Sequence, residues 1–350
     1  MQHDEVGPAV LALGAATGFP VLADPLSGAR FSPGYGAQVV AGYDLFLRSG
    51  RARKLLDPSL VLRVGASPTS SALLELLAGA GAAHQVVIDD GHRWKDHLAV
   101  AHRYLRATPA PLLRELAGGA QRVADPHWRA LWEEADTRTR VVLDGLPPGE
   151  LLEGQILSTV VAGLPEGARL LVASSMPVRD LDAFVPPRQE TVHVFGNRGV
   201  SGIDGLVSTL AGIAAVGGRE AEAPTVGVLG DLAFLHDLNG LKVLRELSPW
   251  VVLVVINNDG GGIFHTLPVK EEEPPFTRLF ATPHGLELRR AADLFRLPYR
   301  EAESLAGFGE ALSGALRKSE PSILEVRTQR EETHARRREV VAEVVRVMEG

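Results

Sequence analysis

The sequence predicts an α/β protein with mostly parallel sheets covered by helices, and three observations predict it. Short β-branched runs of strand length recur along the chain. Between them lie stretches with apolar residues at helical spacing, so the order reads as βαβ units. The 37 glycines suit tight turns between strand and helix. With aromatics at only 5%, the core must be built mainly from Leu, Val and Ala.

The strands are expected at 60–64, 85–88, 169–172, 191–194, 225–229, 251–256 and 322–326. The helix at 70–80 carries Leu73, Leu74, Leu76 and Leu77, and that at 237–247 carries Leu238, Leu241, Leu244 and Leu247. Segments 289–297 and 304–317 follow the same pattern, and 126–142 reads as a polar helix with charged faces. Between 143 and 150 the run LDGLPPGE is a loop or linker signal, which places one α/β domain at 1–145 and a second at 150–350. The tail at 331–349 reads as a basic amphipathic helix carrying Val340, Val341, Val344, Val345 and Met348. Its Arg336, Arg337 and Arg338 are read as a solvated face.

Composition removes several function classes. The 350 residues include no cysteine, which excludes disulfides, thiolate metal sites and a cysteine nucleophile. A formal net charge of −7 argues against a general nucleic-acid binder. No apolar run reaches the roughly 18 residues of a membrane span. The start, MQHDEVGPAV, lacks a basic region followed by an apolar one, so no signal peptide is expected and a cytoplasmic location fits.

The strongest chemical signal is GDLAFLHDLNGLKVLRELSPWVVLVVINNDGGGIF, at 230–264. One expected strand ends in Gly230 and Asp231, the next in Asn257 and Asn258. The carboxyl ends of strands are where open parallel sheets bind ligands. Adjacent parallel strands would bring Asp231 and Asn258 to one sheet edge. One carboxylate and one amide oxygen form a hard-cation set, suited to Mg²⁺ or Ca²⁺ bridging to phosphate oxygens. The DGGG turn lets the backbone approach closely and offers its own carbonyls and amides.

A GD and an NN at this spacing resemble the signature of thiamine diphosphate enzymes. Within them the chain resembles the MenD family of menaquinone biosynthesis. SSMPVRDLDAF (174–184), FGNRGVSGIDGLVST (195–209), GDLAFLHDLNGL and NNDGGGIFHTLP carry that likeness, strong over 150–350 and weak before it. It implies two Rossmann-like three-layer domains. Residues 1–145 would be the middle domain, transhydrogenase-domain-III-like and without a cofactor, and 150–350 the diphosphate-binding domain.

The resemblance also implies cofactors, thiamine diphosphate with Mg²⁺ or Mn²⁺, and roles for individual residues. Asp231, Asn258 and the Gly260 carbonyl would ligate the metal. Gly230, Asp231, Leu232, Ser175, Asn258, Gly260 and Ile263 would surround the cofactor with Ser201 and Gly202. Ile203 would be the apolar side chain enforcing its bent conformation. Ser175, Arg179, Arg198, Ile263, Phe264 and Leu267 would face the substrates, 2-oxoglutarate and isochorismate. Both substrates carry two carboxylates, which the planar fork of Arg suits better than Lys.

The implied reaction decarboxylates 2-oxoglutarate and adds the four-carbon unit to isochorismate in a Stetter-like 1,4-addition, giving the succinyl-enolpyruvyl-cyclohexene carboxylate SEPHCHC and CO₂. The family activates its cofactor with a glutamate on an N-terminal pyrimidine-binding domain, and the chain is expected to lack that domain and so to hold no catalytic residue of its own. Partners expected are the two substrates and either a homodimer or homotetramer, or a separate pyrimidine-binding domain. Near Ser71 and Ala72 the chain departs from the family's Lys, with Arg30 and Arg63 as substitutes. A different thiamine diphosphate decarboxylase or carboligase, or a non-catalytic thiamine diphosphate/Mg²⁺-binding subunit, are the alternative readings.

Weaker signals remain. Asp237 is expected to cap the helix after it, with His236 beside it. His265 lies near the substrate if the family resemblance holds. Asp89, Asp90, His92, Asp96 and His97 match no strong ligand spacing and read as a solvated loop.

Overall fold

The computed structural model describes residues 5–350 apart from 35, 37, 92–93, 121–123, 150, 218–221 and 248–249. The chain forms two compact units. One comprises Met1–Leu146, Pro186–Gln189 and Val340–Gly350, the other Pro147–Val185 and Glu190–Glu339.

In the first unit, β1 (Val21–Leu22) pairs with β2 (Val39–Val40), and β3 (Leu60–Val64), β4 (His84–Asp89) and β5 (Arg103–Arg106) form a parallel sheet in that order. The helix Ser71–Gly79 starts where expected. Ser70 Oγ accepts from the Leu73 amide at 3.1 Å, and Ala72, Leu73, Leu76 and Leu77 turn inward. A core of Ala9, Leu13, Val86, Ile88, Ala110 and Leu113 joins the sheet to its helices.

Two expectations for this unit are overturned and a third holds only in part. Arg30 is fully buried, donating to the carbonyls of Ala23 (2.7 Å) and Ala41 and to the Tyr43 hydroxyl (3.2 Å), so it is a structural cation and not a substrate contact. Arg63 is committed to Asp96 at 2.6 Å. The acidic loop is solvated only in part, with Asp90 exposed. Asp89 and Asp96 are buried and paired with Lys95 and Arg63, because a buried carboxylate needs a partner cation. His97 stays at the surface, 3.0 Å from Ser67 Oγ, and His92 lies outside the described residues. The described residues contain no metal-binding cluster of His, Cys, Asp and Glu.

The second unit is built on a six-stranded, all-parallel sheet. Its strands are β6 (Ala168–Val172), β7 (Val192–Phe195), β8 (Thr225–Gly230), β9 (Val251–Asn257), β10 (Tyr299–Ala302) and β11 (Ser322–Arg327), in the order β10-β11-β9-β8-β6-β7. β9 is apolar nearly throughout because a central parallel strand is covered on both faces, and all of its residues are buried. Val207, Leu210, Phe234, Leu241 and Leu253 lie in one core cluster on the sheet. The chain runs from β6 outward to β7, then returns to the other side of β6 as β8. The order therefore reverses between β6 and β8, and their carboxyl ends flank the crevice where such sheets bind ligands.

Asp237 caps a different helix from the one expected. Its carboxylate accepts from the Ser208 amide (2.6 Å) and hydroxyl (2.9 Å), at the start of the helix Leu206–Gly217. The expected helix at 237–247 begins at Gly240 and runs to Leu247, and a further short helix, Asp231–His236, precedes it. Arg337 also departs from expectation. In the C-terminal helix Arg330–Glu349 it turns inward to pair with buried Asp180, while Arg336 pairs with Glu339 at 2.6 Å on the exposed side. No described helix is long and apolar enough to cross a membrane.

Candidate functional site

The site residues expected from the sequence lie at or after the carboxyl ends of β6, β7, β8 and β9. β6 runs into Ala173, Ser174 and Ser175, and Ser175 is held at φ +74°, a conformation rare for a side-chain-bearing residue and a mark of functional turns. Arg179, one turn into the helix Met176–Phe184, donates to the Ser175 carbonyl at 2.6 Å. Ser174 Oγ reaches the Asn197 carbonyl at 3.2 Å, with Arg198 Nη1 3.5 Å from the same hydroxyl. The turns after β6 and β7 therefore meet. Ser201 is exposed at φ +62°, Gly202 is half-buried, and Ile203 packs against the core beneath the loop.

Register sets the metal loop. Gly230 of β8 lies opposite Ile256 of β9, so Asp231 and Asn257–Asn258 emerge side by side. Asp231 is buried. Its Oδ1 accepts from the Leu232 amide (2.6 Å), and its Oδ2 accepts from the Gly260 amide (2.8 Å) and His284 Nε2 (3.2 Å). The Leu286 amide donates to His284 Nδ1 at 2.9 Å, which places the ring proton on Nε2, facing Asp231. Burial pushes the Asp231 carboxyl up, opposed by these amides and by His284.

Asn258 donates through Nδ2 to Glu153 Oε1 at 2.9 Å, and its Oδ1 is buried with no hydrogen-bond partner among the described residues. Arg330 pins the turn by donating to the Asn258 (3.1 Å) and Asp259 (2.7 Å) carbonyls. Asn257 spans two tasks. Its Nδ2 donates to buried Glu325 (2.8 Å) and its Oδ1 accepts from the Asp259 amide (3.0 Å). Gly260 sits at φ +137°, and its carbonyl accepts from the Gly262 amide at 3.0 Å. Ile263 and Phe264 lie half-buried in the 3₁₀ turn Gly262–Thr266, Phe264 edge-on to Phe280, and Leu267 follows with its side chain largely exposed. His265 is buried edge-on to Phe276, 3.5 Å from Glu331, and His236 is exposed.

The donor set fits a hard divalent cation. A buried amide oxygen without a partner is costly unless something binds it. A carboxylate has about four lone-pair sites, and the three donors found on Asp231 leave one open. Glu153 is a second buried carboxylate nearby. Burial pushes it up, against hydrogen bonds from Asn258 and Thr328 and the Arg337 charge, and the Asp231 charge adds the smallest push. A divalent cation would favour the ionised form of both carboxylates. Sequence reasoning missed Glu153, His284, Glu325 and Arg330. Each meets the loop through a partner tens of residues away, and no local spacing signals it.

Comparison with known proteins agrees over most of the chain. It is 42% identical over 342 residues to the 2-succinyl-5-enolpyruvyl-6-hydroxy-3-cyclohexene-1-carboxylate synthase of Halobacterium salinarum, aligning 96% of this chain with 56% of the relative. The synthase of the same name from Chloroflexus aurantiacus is 38% identical over 333 residues, with 94% of this chain and 56% of the relative aligned. That of Bacillus cytotoxicus is 32% identical over 331 residues, with the same coverage. No protein-family model matches the chain. The chain spans 56% of the length of each of these three curated relatives. Over the length it shares with them, the chain is similar to the 2-succinyl-5-enolpyruvyl-6-hydroxy-3-cyclohexene-1-carboxylate synthases of these three organisms.

Proposed function

We propose that the chain carries the metal- and diphosphate-binding part of a thiamine diphosphate-dependent synthase that joins the four-carbon unit of 2-oxoglutarate to isochorismate. The buried Asn258 Oδ1 without a partner, next to buried Asp231 at the end of β8, is the observation that supports it. Asp231, Asn258 and the Gly260 carbonyl would hold Mg²⁺ or Mn²⁺ against the diphosphate. The backbone amides near Ser175 and Leu232, on the two sides of the strand-order reversal, would cradle the diphosphate itself. When bound, the cofactor supplies an electron sink for the carbanion left by decarboxylation of a 2-oxo acid.

The chain's own residues do the positioning. Arg179, on the helix that follows the turn after β6, and Arg198, on the turn after β7, lie near the meeting of those turns at Ser174 and Asn197, where their guanidinium groups would clamp substrate carboxylates in a fixed orientation. Ile263, Phe264 and Leu267 would form the apolar wall, and Ile203, anchored in the core, would support the cofactor's bent shape. The same reading expects copies to pair as a dimer or tetramer, or to bind a separate pyrimidine-binding domain.

Two measurements test the proposal. Titration of the chain with thiamine diphosphate, with and without Mg²⁺, should show metal-dependent binding. Asp231→Ala should weaken it by more than the roughly 10–100-fold typical of outer-sphere changes. Unchanged affinity means the site is misplaced. CO₂ release from 2-oxoglutarate with isochorismate present, by the chain alone and with a pyrimidine-binding domain added, tests the activity. Binding without turnover under both conditions would sink the synthase reading and leave a non-catalytic binding subunit.

A further inference from the structure

Glu153 opens the helix Glu153–Gly163 at the start of the second unit and is only 4% exposed. Its Oε1 accepts from Asn258 Nδ2 at 2.9 Å and from Thr328 Oγ1 at 3.2 Å. Burial favours the neutral carboxyl and a bound cation the ionised one; in the ionised form Glu153 offers acceptors and no donor, so of the two ends of the Asn258 amide only the NH₂ can face it. The planar amide then turns Oδ1 the other way, where it is buried and without a partner. Two features support this arrangement. The helix N-terminus favours a negative charge at its first residue. Opposite the amide, a Cβ on Gly262 would stand 2.8 Å from Asn258 Nδ2, so the amide fills room that only glycine leaves.

We propose that Glu153 is a positioning residue that fixes the side-chain amide of Asn258 so that its oxygen, and not its NH₂, is presented to a divalent cation. This rests on the metal-loop reading above. A terminal amide is free to turn about its last bond, and its two faces have opposite polarity toward a cation. One turned outward with NH₂ repels the ion. Metal-binding side chains are commonly held by such an outer partner, and here the partner is a carboxylate from 105 residues earlier in the chain.

The test is Mn²⁺ binding to the full chain, read from the loss of the free-ion electron paramagnetic resonance signal. It is run on wild type, Glu153→Leu, Glu153→Gln, Asn258→Asp and the double variant Glu153→Gln/Asn258→Asp, each with its unfolding midpoint. Glu153→Leu should weaken Mn²⁺ binding about 10–100-fold. The swapped pair decides the mechanism. With Asp at 258, two carboxylates face each other and the ligand is pushed aside. Adding Gln at 153 restores a donor–acceptor pair of reversed polarity and should tighten Mn²⁺ binding, although it removes a negative charge.

If Glu153 acts only through its charge, Glu153→Gln weakens binding by the same factor in both backgrounds, and the proposal falls. It also falls if Glu153→Leu is folded and binds Mn²⁺ like wild type. Should Glu153→Leu not fold, the comparison of Asn258→Asp with the double variant still decides. Failure of the underlying reading looks different: there Asp231→Ala binds Mn²⁺ as wild type does.

Discussion

Gly260→Ala probes the metal loop through its backbone. Gly260 adopts φ +137°, and a Cβ there would stand 2.0 Å from the Ala281 carbonyl oxygen and 3.3 Å from the Thr282 carbonyl carbon. A carbon needs about 3.3 Å from such an oxygen, so the two backbone segments must part by roughly 1.3 Å. That movement breaks the Gly260 amide's bond to Asp231 (2.8 Å) and the Gly261 amide's bond to the Ala281 carbonyl (2.7 Å). Backbone strain and the lost bond to a carboxylate together cost about 3–6 kcal/mol.

Gly285→Ala is the control. Its φ is +61°, no described atom beyond its chain neighbours lies within 4 Å of the added Cβ, and the left-handed conformation alone costs about 1–2 kcal/mol. Hydrogen–deuterium exchange of β8 and β9 in rising denaturant reads the stability of the second unit directly. Gly260→Ala should lower it by at least about 1 kcal/mol more than Gly285→Ala, and should remove Mg²⁺-dependent thiamine diphosphate binding. Equal exchange in the two variants would refute the close-approach argument.

Other perturbations address the supporting network. Tyr299 donates to buried Glu325 at 2.5 Å, and burial together with that carboxylate pushes the phenol well above its usual range, so it remains a donor at all ordinary pH. Tyr299→Phe should cost about 1.5–3 kcal/mol in the second unit, read from the same exchange experiment, and a loss under 0.5 kcal/mol would be too small for a bond to a charge. In the first unit, burial raises the Asp96 carboxyl, but its bonds from Arg63 and the Ala101 amide outweigh that and hold it below its ordinary 3.8. The folded state thus keeps Asp96 ionised where the unfolded chain binds a proton. The stabilisation is present above about pH 3.8 and is lost as pH falls from there through the lower folded value. Unfolding midpoints of wild type and Arg63→Met measured between pH 7 and pH 2 should converge on acidification. A constant gap would place the stabilisation elsewhere.

Much of the second unit can be read from local sequence because its strands are buried on both faces. Such strands appear as unbroken apolar runs, and 225–229 and 251–256 lie within one residue of β8 and β9. β5 and β10 escaped that reading for the converse reason. They lie at sheet edges and carry Arg103, Arg106, Arg300 and Glu301, so no apolar run marks them. The end of β8 also made Asp231 legible as a ligand, since strand ends are where parallel sheets expose their chemistry. By itself, then, the sequence determined the α/β class, the strands that form the centre of the sheet, and the pairing of a carboxylate with an amide at its edge.

Only the tertiary structure decided how that edge is held. The carboxylate of Glu153 lies against Asn258 from 105 residues away, Glu325 holds Asn257 from 68, and His284 reaches Asp231 from 53. The same holds for Arg30, Arg63 and Arg337, which a sequence reading leaves available to ligands or solvent and which the fold commits to buried partners. The reason is physical. Apolar burial depends on periodicity along a single element, which is written locally. The partner of a buried polar group is whatever donor or acceptor the packed chain brings within about 3 Å, and that depends on every element at once.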